Sequence, residues 1–145
     1  MQSINKYLSR STAETEQIAK EFSLSLKDDS FVALYGDLGA GKTAFVRGIV
    51  NALLPDTEFE GSPTYSLVNE YVGEDKKISH FDMYRISDED DLYSIGFYDY
   101  TEGIIITEWS ENIPFALPDC RTEVHINKIN ECEREIEIYC LGVEE

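Results

Sequence analysis

Eight consecutive residues have the types and spacing of a phosphate-binding loop. They are Gly36-Asp37-Leu38-Gly39-Ala40-Gly41-Lys42-Thr43, which fit the pattern G-x-x-x-x-G-K-[ST]. Glycine adopts positive φ at low cost, so such a loop brings successive backbone N–H groups onto phosphate oxygens. Lys42 is then expected to reach the β- and γ-phosphates, and the Thr43 hydroxyl to ligate Mg²⁺.

The residues on either side of the loop predict the strand and the helix that this motif requires. Phe31–Tyr35 is an unbroken apolar run of strand length, as expected for a parallel strand that is covered on both faces. Residues 43–54 carry apolar side chains at helical spacing, and Pro55 follows them. The helix therefore begins at the loop, where its N-terminal dipole favours a bound anion.

Two carboxylates follow predicted strands and are candidates for the metal side of the site. Glu108 comes directly after a second buried strand, residues 103–107, and Asp82 follows the second strand of a predicted hairpin, residues 65–72 and 77–81. Ligands of open α/β sheets bind beyond the carboxyl ends of the strands. Phosphoryl transfer needs a carboxylate on the metal side and a group that orients water. Glu108 is therefore predicted to face the phosphate loop, and Asp82 is predicted to do so if its strand runs in the same sense.

Three residues near these carboxylates have less specific patterns. Thr64 lies in a segment without periodicity, where a nucleotide-sensing switch would contact the γ-phosphate through Mg²⁺. Trp109 adjoins Glu108, and on sequence grounds alone an aromatic side chain there is expected to pack rather than to act. His80 alternates with the apolar Phe81 and is predicted to lie on the surface of its strand.

The remaining patterns complete an α/β protein. Ser11 and Glu14 form a predicted capping box before a helix over about residues 12–24. The acidic residues 88–91 predict the first turn of another helix. Residues 122–129 and 133–141 alternate between apolar and polar side chains, which predicts an antiparallel pair with one exposed face. We therefore expect a single domain over residues 1–145 with a three-layer P-loop NTPase-like α/β fold, a mixed central sheet and a C-terminal antiparallel strand pair.

Composition restricts the functional classes. The chain has 145 residues, with 29 acidic and 12 basic side chains and a net charge of −17. This charge repels phosphate backbones, so unaided binding to nucleic acid or to an anionic membrane is not expected. Cys120, Cys132 and Cys140 are odd in number and form no C-x-x-C, which argues against a disulfide framework or a zinc site. No segment approaches the length of a membrane span, and a reducing cytoplasm is the expected location.

Four blocks of the sequence form a more specific pattern than the phosphate loop alone. They are the loop with Arg47-Gly48, Ser62-Pro63-Thr64-Tyr65-Ser66-Leu67-Val68-Asn69-Glu70-Tyr71, His80-Phe81-Asp82-Met83-Tyr84-Arg85, and Glu108-Trp109. In this order they resemble the bacterial TsaE (YjeE) ATPase family, and the resemblance covers nearly the whole chain. That family takes part in making threonylcarbamoyladenosine beside the anticodon of tRNA.

The resemblance implies an ATPase that is not itself the tRNA-modifying transferase. Its implied cofactors are ATP and Mg²⁺, and its implied partners are the TsaD and TsaB subunits, which would contact tRNA in its place. The implied residues of the reaction are Lys42, Thr64, Asp82, Glu108 and Trp109, with Thr43, Asp82 and Glu108 on the metal ion. The implied nucleotide-binding residues are Thr12, Asp37, Leu38, Gly39, Ala40, Gly41, Lys42, Thr43, Ala44 and Arg134.

Two positions depart from the family pattern. Ala44 stands where the family often has a second threonine, and Ser110 stands where a proline commonly follows the Glu-Trp pair. Neither change removes a metal or phosphate ligand, so we expect activity to survive both.

Three other classes compete with this assignment on the sequence alone. A switch-type small GTPase would need N-K-x-D and D-x-x-G, but Asn127-Lys128-Ile129-Asn130 lacks the final carboxylate and Asp82-Met83-Tyr84-Arg85 lacks the glycine. A small-molecule kinase would close an arginine-bearing lid over the phosphates, and no stretch concentrates the arginines. A nucleotide-binding interaction module with negligible hydrolysis is compatible with the chain, because no residue is an obvious arginine finger. For the same reason we expect slow intrinsic hydrolysis.

Overall fold

A seven-stranded mixed sheet organises the fold in the computed structural model of this chain. The structure describes residues 3–37, 39–63 and 67–142, and of Ser3 and Ile4 it describes the main chain only. The strands are β1 (Ser3–Ser9), β2 (Phe31–Tyr35), β3 (Val68–Val72), β4 (Lys77–Asp82), β5 (Ile104–Glu108), β6 (Arg121–Lys128) and β7 (Arg134–Leu141). The helices are α1 (Thr12–Ser23), α2 (Lys42–Leu53) and the short α3 (Glu89–Ser94).

The strands lie in the order β1-β7-β6-β2-β5-β4-β3. The central strands β6, β2, β5 and β4 pair in parallel, whereas β1, β7 and β3 pair antiparallel with their neighbours. Because parallel strands end at the same edge of a sheet, the ends of β2, β4 and β5 lie side by side. The predicted mixed sheet with a C-terminal antiparallel pair is confirmed.

One face of the sheet is covered by α1 and α2. Successive residues of a strand point to opposite faces, so alternate apolar side chains of β2 and β5 meet these helices. The helices bury Ala19 of α1 and Phe45, Val46 and Ile49 of α2 in this core. Both helices have 12 residues, and none of the described helices is long and apolar enough to cross a bilayer.

The other face is covered beside β4 and β5 by α3 and by 3₁₀ turns. Phe81 of β4 makes edge-on contacts there with Phe97 and Tyr100, at centroid distances of 5.0 and 4.9 Å. Leu92 of α3 and Ile113 belong to the same buried cluster. The predicted third layer is therefore present, and both faces of β4 and β5 are removed from solvent.

The predicted elements agree with the structure to within a few residues, with one exception. The predicted N-cap is confirmed, because Ser11 Oγ accepts from Glu14 N at 3.0 Å. The Glu14 carboxylate accepts from Arg10 N at 2.9 Å, one residue before the N-cap, rather than from Ser11 N as in a standard capping box. The exception is β1, which the sequence analysis missed. Its segment has no clean alternation of apolar and polar residues, and Tyr7 and Leu8 are 38% and 42% exposed. Pairing with β7 holds it in place.

Gly48 allows α1 and α2 to pack closely, and a methyl group there is expected to destabilise the fold. A Cβ at Gly48 would lie 2.5 Å from the Glu16 carbonyl oxygen and 2.7 Å from Ala19 Cβ. Because one contact is backbone, we expect Gly48→Ala to cost about 1–3 kcal/mol despite the better helix propensity of alanine. Urea unfolding measures this, with Asn51→Ala on the exposed side of α2 as a control that should change stability by less than about 0.5 kcal/mol. An unaltered midpoint for Gly48→Ala would show that α1 shifts to accommodate the methyl group.

Candidate functional site

The phosphate loop connects the end of β2 to the first turn of α2. Gly36 has φ 152°, and a Cβ there would lie 2.6 Å from the Ile126 carbonyl oxygen, so the start of the loop requires glycine. Gly41 is the N-cap of α2 in a left-handed conformation, and no side chain caps the helix. The first N–H groups of α2 are therefore available to an anion, as the motif predicts. Leu38 lies outside the described residues.

Lys42 is buried and is held by the loop and by Trp109. Its ammonium group donates to the Gly36 carbonyl oxygen and lies 3.6 Å from the centroid of the Trp109 ring. Only 5% of the residue is exposed. Burial lowers the pKa of Lys42 from its ordinary value, while Glu111, Glu108 and neighbouring carboxylates oppose this shift. The ammonium group is therefore desolvated at the loop, where a phosphate would compensate its charge.

Trp109 turns the chain at the end of β5. It has φ 57°, an uncommon value for a bulky residue, and its ring contacts the Tyr84 ring at 5.0 Å. Ser110 fixes the turn, because its hydroxyl donates to the Thr107 carbonyl oxygen at 2.9 Å and lies 2.7 Å from Thr107 Oγ1. Ser110 thus holds this turn with buried hydrogen bonds.

Glu108 lies between the phosphate loop and β4. It is 3% exposed, and both carboxylate oxygens lie 3.4 Å from Thr43 Oγ1. One of them, Oε2, lies 2.6 Å from His80 Nε2. The register pairs Glu108 with Asp82, so the two carboxylates end adjacent parallel strands, as predicted. We find Lys42, Thr43, Asp82 and Glu108 at one cleft.

The Asp82 carboxylate is held by the loop that precedes β3 and by the main chain. Asp82 Oδ2 accepts from Ser62 Oγ at 3.2 Å, and Oδ1 accepts from Tyr84 N at 2.9 Å. Thr64, the predicted switch residue, lies outside the described residues, but Ser62 is two positions before it. The sequence analysis did not single out Ser62 as a site residue.

His80 is the residue whose environment was predicted wrongly. It is fully buried, not on a strand surface, and it bonds Glu108. Alternation predicts exposure only when one face of a strand is open to water, and both faces of β4 are covered. The unbroken apolar run of β5 is typical of a strand covered on both faces, and β4 pairs with β5 in parallel.

The main cleft has a volume of about 460 Å³. Its lining contains most of the predicted reaction residues together with the newly found Ser62 and Tyr84. The lining residues are Gly39, Gly41, Lys42, Thr43, Ser62, Asp82, Tyr84, Glu108 and Trp109.

A second cleft, of about 370 Å³, shares Gly39 and Gly41 with the main cleft. It is lined by Thr12, Ala44 and Arg134, which the family resemblance assigned to the nucleotide. Arg134 donates from Nε to the Ala40 carbonyl oxygen at 3.0 Å and from Nη2 to that of Gly39 at 3.2 Å. The loop is thus braced from β7. Asp37 is exposed, and its carbonyl oxygen accepts from Ala40 N.

The donor chemistry of the main cleft suits Mg²⁺ bound together with phosphate. Mg²⁺ in nucleotide sites takes one or two carboxylates, a hydroxyl and phosphate oxygens, and it keeps several waters. Thr43, Glu108 and Asp82 supply this kind of partial set. Within residues 3–37, 39–63 and 67–142, no three His, Cys, Asp or Glu side chains form a metal cluster. The residues therefore fit a shared Mg²⁺–nucleotide site better than an all-protein metal cage.

The segment that nearly matches a guanine-reading motif has a structural role. Asn127 and Lys128 are the last residues of β6 and pair with Glu135 and Arg134 of β7. They follow the strand pairing rather than forming a base-binding loop. The geometry gives no support to the GTPase alternative.

These features define a nucleotide-binding protein of the P-loop class, with a mixed sheet and paired carboxylates at the strand ends. The sequence model described as "Threonylcarbamoyl adenosine biosynthesis protein TsaE" matches residues 9–136. The chain belongs to the TsaE family.

Individual relatives agree with this assignment. The TsaE protein of Rickettsia typhi is 38% identical over 125 residues, covering 86% of this chain and 87% of the relative. The TsaE protein of Bacillus subtilis is 34% identical over 129 residues, covering 89% of this chain and 81% of the relative. The crystal structure of YdiB from Bacillus subtilis superposes with a TM-score of 0.78 and 30% identity, covering 98% of this chain and 88% of YdiB. The proteins named TsaE are tRNA threonylcarbamoyladenosine biosynthesis proteins.

Proposed function

We propose that this chain is a cytoplasmic, single-domain, Mg²⁺-dependent ATPase that is required for tRNA threonylcarbamoyladenosine formation. It acts with the TsaD and TsaB subunits and is not itself the transferase. The observation that carries the ATPase proposal is the meeting of Lys42, Thr43 and Glu108 at the N-terminus of α2. Family membership carries the proposal on the pathway.

The proposed roles follow from the positions of the side chains. The N–H groups at the start of α2 bind phosphate oxygens, and Lys42 leaves its contact with Gly36 to pair with the β- and γ-phosphates. Thr43 and Glu108 would hold Mg²⁺, which would neutralise charge on the phosphates. Asp82 completes this side of the cleft, and its bond to Ser62 connects it to the switch segment that contains Thr64. Trp109 covers Lys42 and limits the access of water.

Slow intrinsic hydrolysis fits the arginine contacts. Arg134 lines the second cleft and donates to the carbonyl oxygens of Gly39 and Ala40, and no arginine is among the described residues that line the main cleft. An arginine finger on the transferring phosphate contributes about 10³–10⁵ in rate. We therefore propose turnover below about 1 per second for the isolated chain, compared with 1–100 per second for kinases. The partner subunits would change turnover, nucleotide state or both.

The charge supports action through protein partners. A net charge of −17 opposes stable direct binding to tRNA, whose backbone is also negative. Contact with tRNA would then be left to the TsaD and TsaB assembly.

Nucleotide titration followed by Trp109 fluorescence tests the proposed function. The chain has a single tryptophan, and its ring lies against Lys42 in the main cleft. We expect a saturable fluorescence change with ATP, a tighter response when Mg²⁺ is present, and no comparable response to GTP. The same samples report turnover through phosphate release.

Two outcomes would contradict the proposal. A preference for GTP would favour a switch-type GTPase. Absence of heat in calorimetry with ATP and Mg²⁺, together with silent fluorescence, would show that the cleft does not bind nucleotide in the isolated chain.

A further inference from the structure

The buried pair of His80 and Glu108 is not explained by phosphate binding alone. His80 is completely buried, and its Nε2 lies 2.6 Å from Glu108 Oε2. Its other ring nitrogen, Nδ1, is buried and has no hydrogen-bond partner among the described residues. Burying Nδ1 without a hydrogen bond costs free energy, and each unsatisfied buried polar atom in a folded protein calls for an explanation.

The chemistry of Glu108 determines which nitrogen of His80 carries hydrogen. A carboxylate that binds a metal ion is an acceptor only, so the bond between His80 and Glu108 requires a hydrogen on Nε2. The bond to Glu108 is therefore the hydrogen bond that the described residues give to the His80 ring. The bond occupies Oε2 of Glu108 and sets the orientation of the carboxylate toward the Thr43 hydroxyl.

The scaffold around His80 restricts its ring. His80 pairs in register with Ile106 of β5, two residues before Glu108, so the two side chains emerge on the same face of adjacent strands. The Phe59 ring stacks over the imidazole at 6.2 Å with an interplanar angle of 18°, and it also stacks on Tyr71 at 5.9 Å. The strand and the aromatic cover thus keep Nε2 directed at Glu108.

We infer that His80 is a positioning residue that orients the Glu108 carboxylate for Mg²⁺. This inference rests on the proposed function, because it assumes that Glu108 and Thr43 hold the metal ion of a bound nucleotide. His80 itself touches neither metal nor phosphate. Its role is exerted through the hydrogen bond from Nε2, in the way that outer-shell partners orient metal-binding carboxylates.

A matched pair of substitutions distinguishes the effect of the hydrogen bond from Nε2 from the effect of having any polar side chain at position 80. In glutamine the amide nitrogen is the same number of bonds from Cα as histidine Nε2, so His80→Gln keeps a donor near Glu108. In asparagine the amide nitrogen corresponds to Nδ1, so His80→Asn keeps a polar group but loses the bond. Because either variant could alter folding, thermal unfolding of both is measured first.

The experiment measures metal binding separately from nucleotide binding. Each variant is saturated with ADP, and Mn²⁺ binding is followed by electron paramagnetic resonance, while Mg²⁺ binding is followed by Trp109 fluorescence. ADP affinity without metal is measured by calorimetry, and turnover with Mg²⁺–ATP provides kcat and KM. We expect His80→Asn to weaken metal affinity or kcat by about 10–100-fold. We expect His80→Gln to stay within a few-fold of wild type, and metal-free ADP affinity to be unchanged in both.

The outcomes distinguish this inference from the proposed function. If wild type binds ADP and the metal ion but His80→Asn equals wild type, or both variants lose metal affinity equally, the inference is wrong and the proposed function stands. If His80→Asn weakens metal-free ADP binding as much as metal binding, the role of His80 is general packing. If wild type binds no metal ion with nucleotide, the proposed function fails first.

Discussion

Replacing Lys42 with alanine is expected to reduce ATP hydrolysis by about 10²–10³-fold, because it removes a preorganised positive charge from the transferring phosphate. The fold should survive. The Lys42 ammonium group contacts the Gly36 carbonyl oxygen and the Trp109 ring, and it makes no described ion pair. Burial desolvates the ammonium group and lowers its pKa, so removing the charge relieves this cost and offsets the lost attraction to Glu111, Glu108 and Asp82. Phosphate release measures the loss of hydrolysis, and thermal unfolding measures whether the fold survives.

The matched control is Lys76→Ala, which also removes one lysine charge. Lys76 lies away from the cleft and pairs with Asp28 at 3.3 Å on the surface, so hydrolysis should be unchanged. In a cell that depends on this chain, Lys42→Ala should also reduce threonylcarbamoyladenosine in tRNA. Normal modification with the Lys42→Ala protein would contradict the proposed mechanism, since it would separate the pathway from ATP hydrolysis.

Sequence patterns predict elements well where local residues decide the structure. β2, the phosphate loop and α2 follow one another directly, and their apolar run, glycines and helical spacing are readable within a short window. β1 could not be predicted in this way. It is held by pairing with β7 from the opposite end of the chain, and its own residues show no clear alternation. Such a strand depends on tertiary pairing rather than on local preference.

Those residues of the candidate site that lie at the ends of strands could be predicted from the sequence. Glu108 and Asp82 follow strand patterns, and parallel pairing then places them side by side at the phosphate loop. The Ser62–Asp82 bond was not predictable, because loop conformation decides it. The prediction that His80 lies on the strand surface was wrong. Alternation of side chains predicts exposure only when one face of a strand is open to water, and both faces of β4 are covered. Knowledge of the strand order was needed to see that β4 is interior.

Replacing Glu108 with glutamine is expected to separate nucleotide binding from Mg²⁺-dependent hydrolysis. The substitution keeps the shape of the side chain but removes the charge next to Thr43, so metal-dependent turnover should fall by about 10²–10³-fold. Without Mg²⁺, ATP should bind as tightly as to wild type or more tightly. A negative charge beside the phosphates opposes binding, and the amide does not. Calorimetry with and without Mg²⁺ and single-turnover phosphate release check both statements.

Glu111→Gln is the matched control, because Glu111 is exposed and its charge acts on Lys42, whereas it makes no described contact with Thr43. This variant removes the same charge from the region but leaves the proposed metal ligands intact. Its hydrolysis should therefore stay close to wild type, since exposed charges are screened by salt. If Glu111→Gln and Glu108→Gln slowed hydrolysis equally, general charge near the loop would explain the effect and Glu108 would not be a metal ligand. If only Glu108→Gln slows hydrolysis and the loss needs Mg²⁺, the carboxylate that His80 orients is the one on which the metal-dependent step depends.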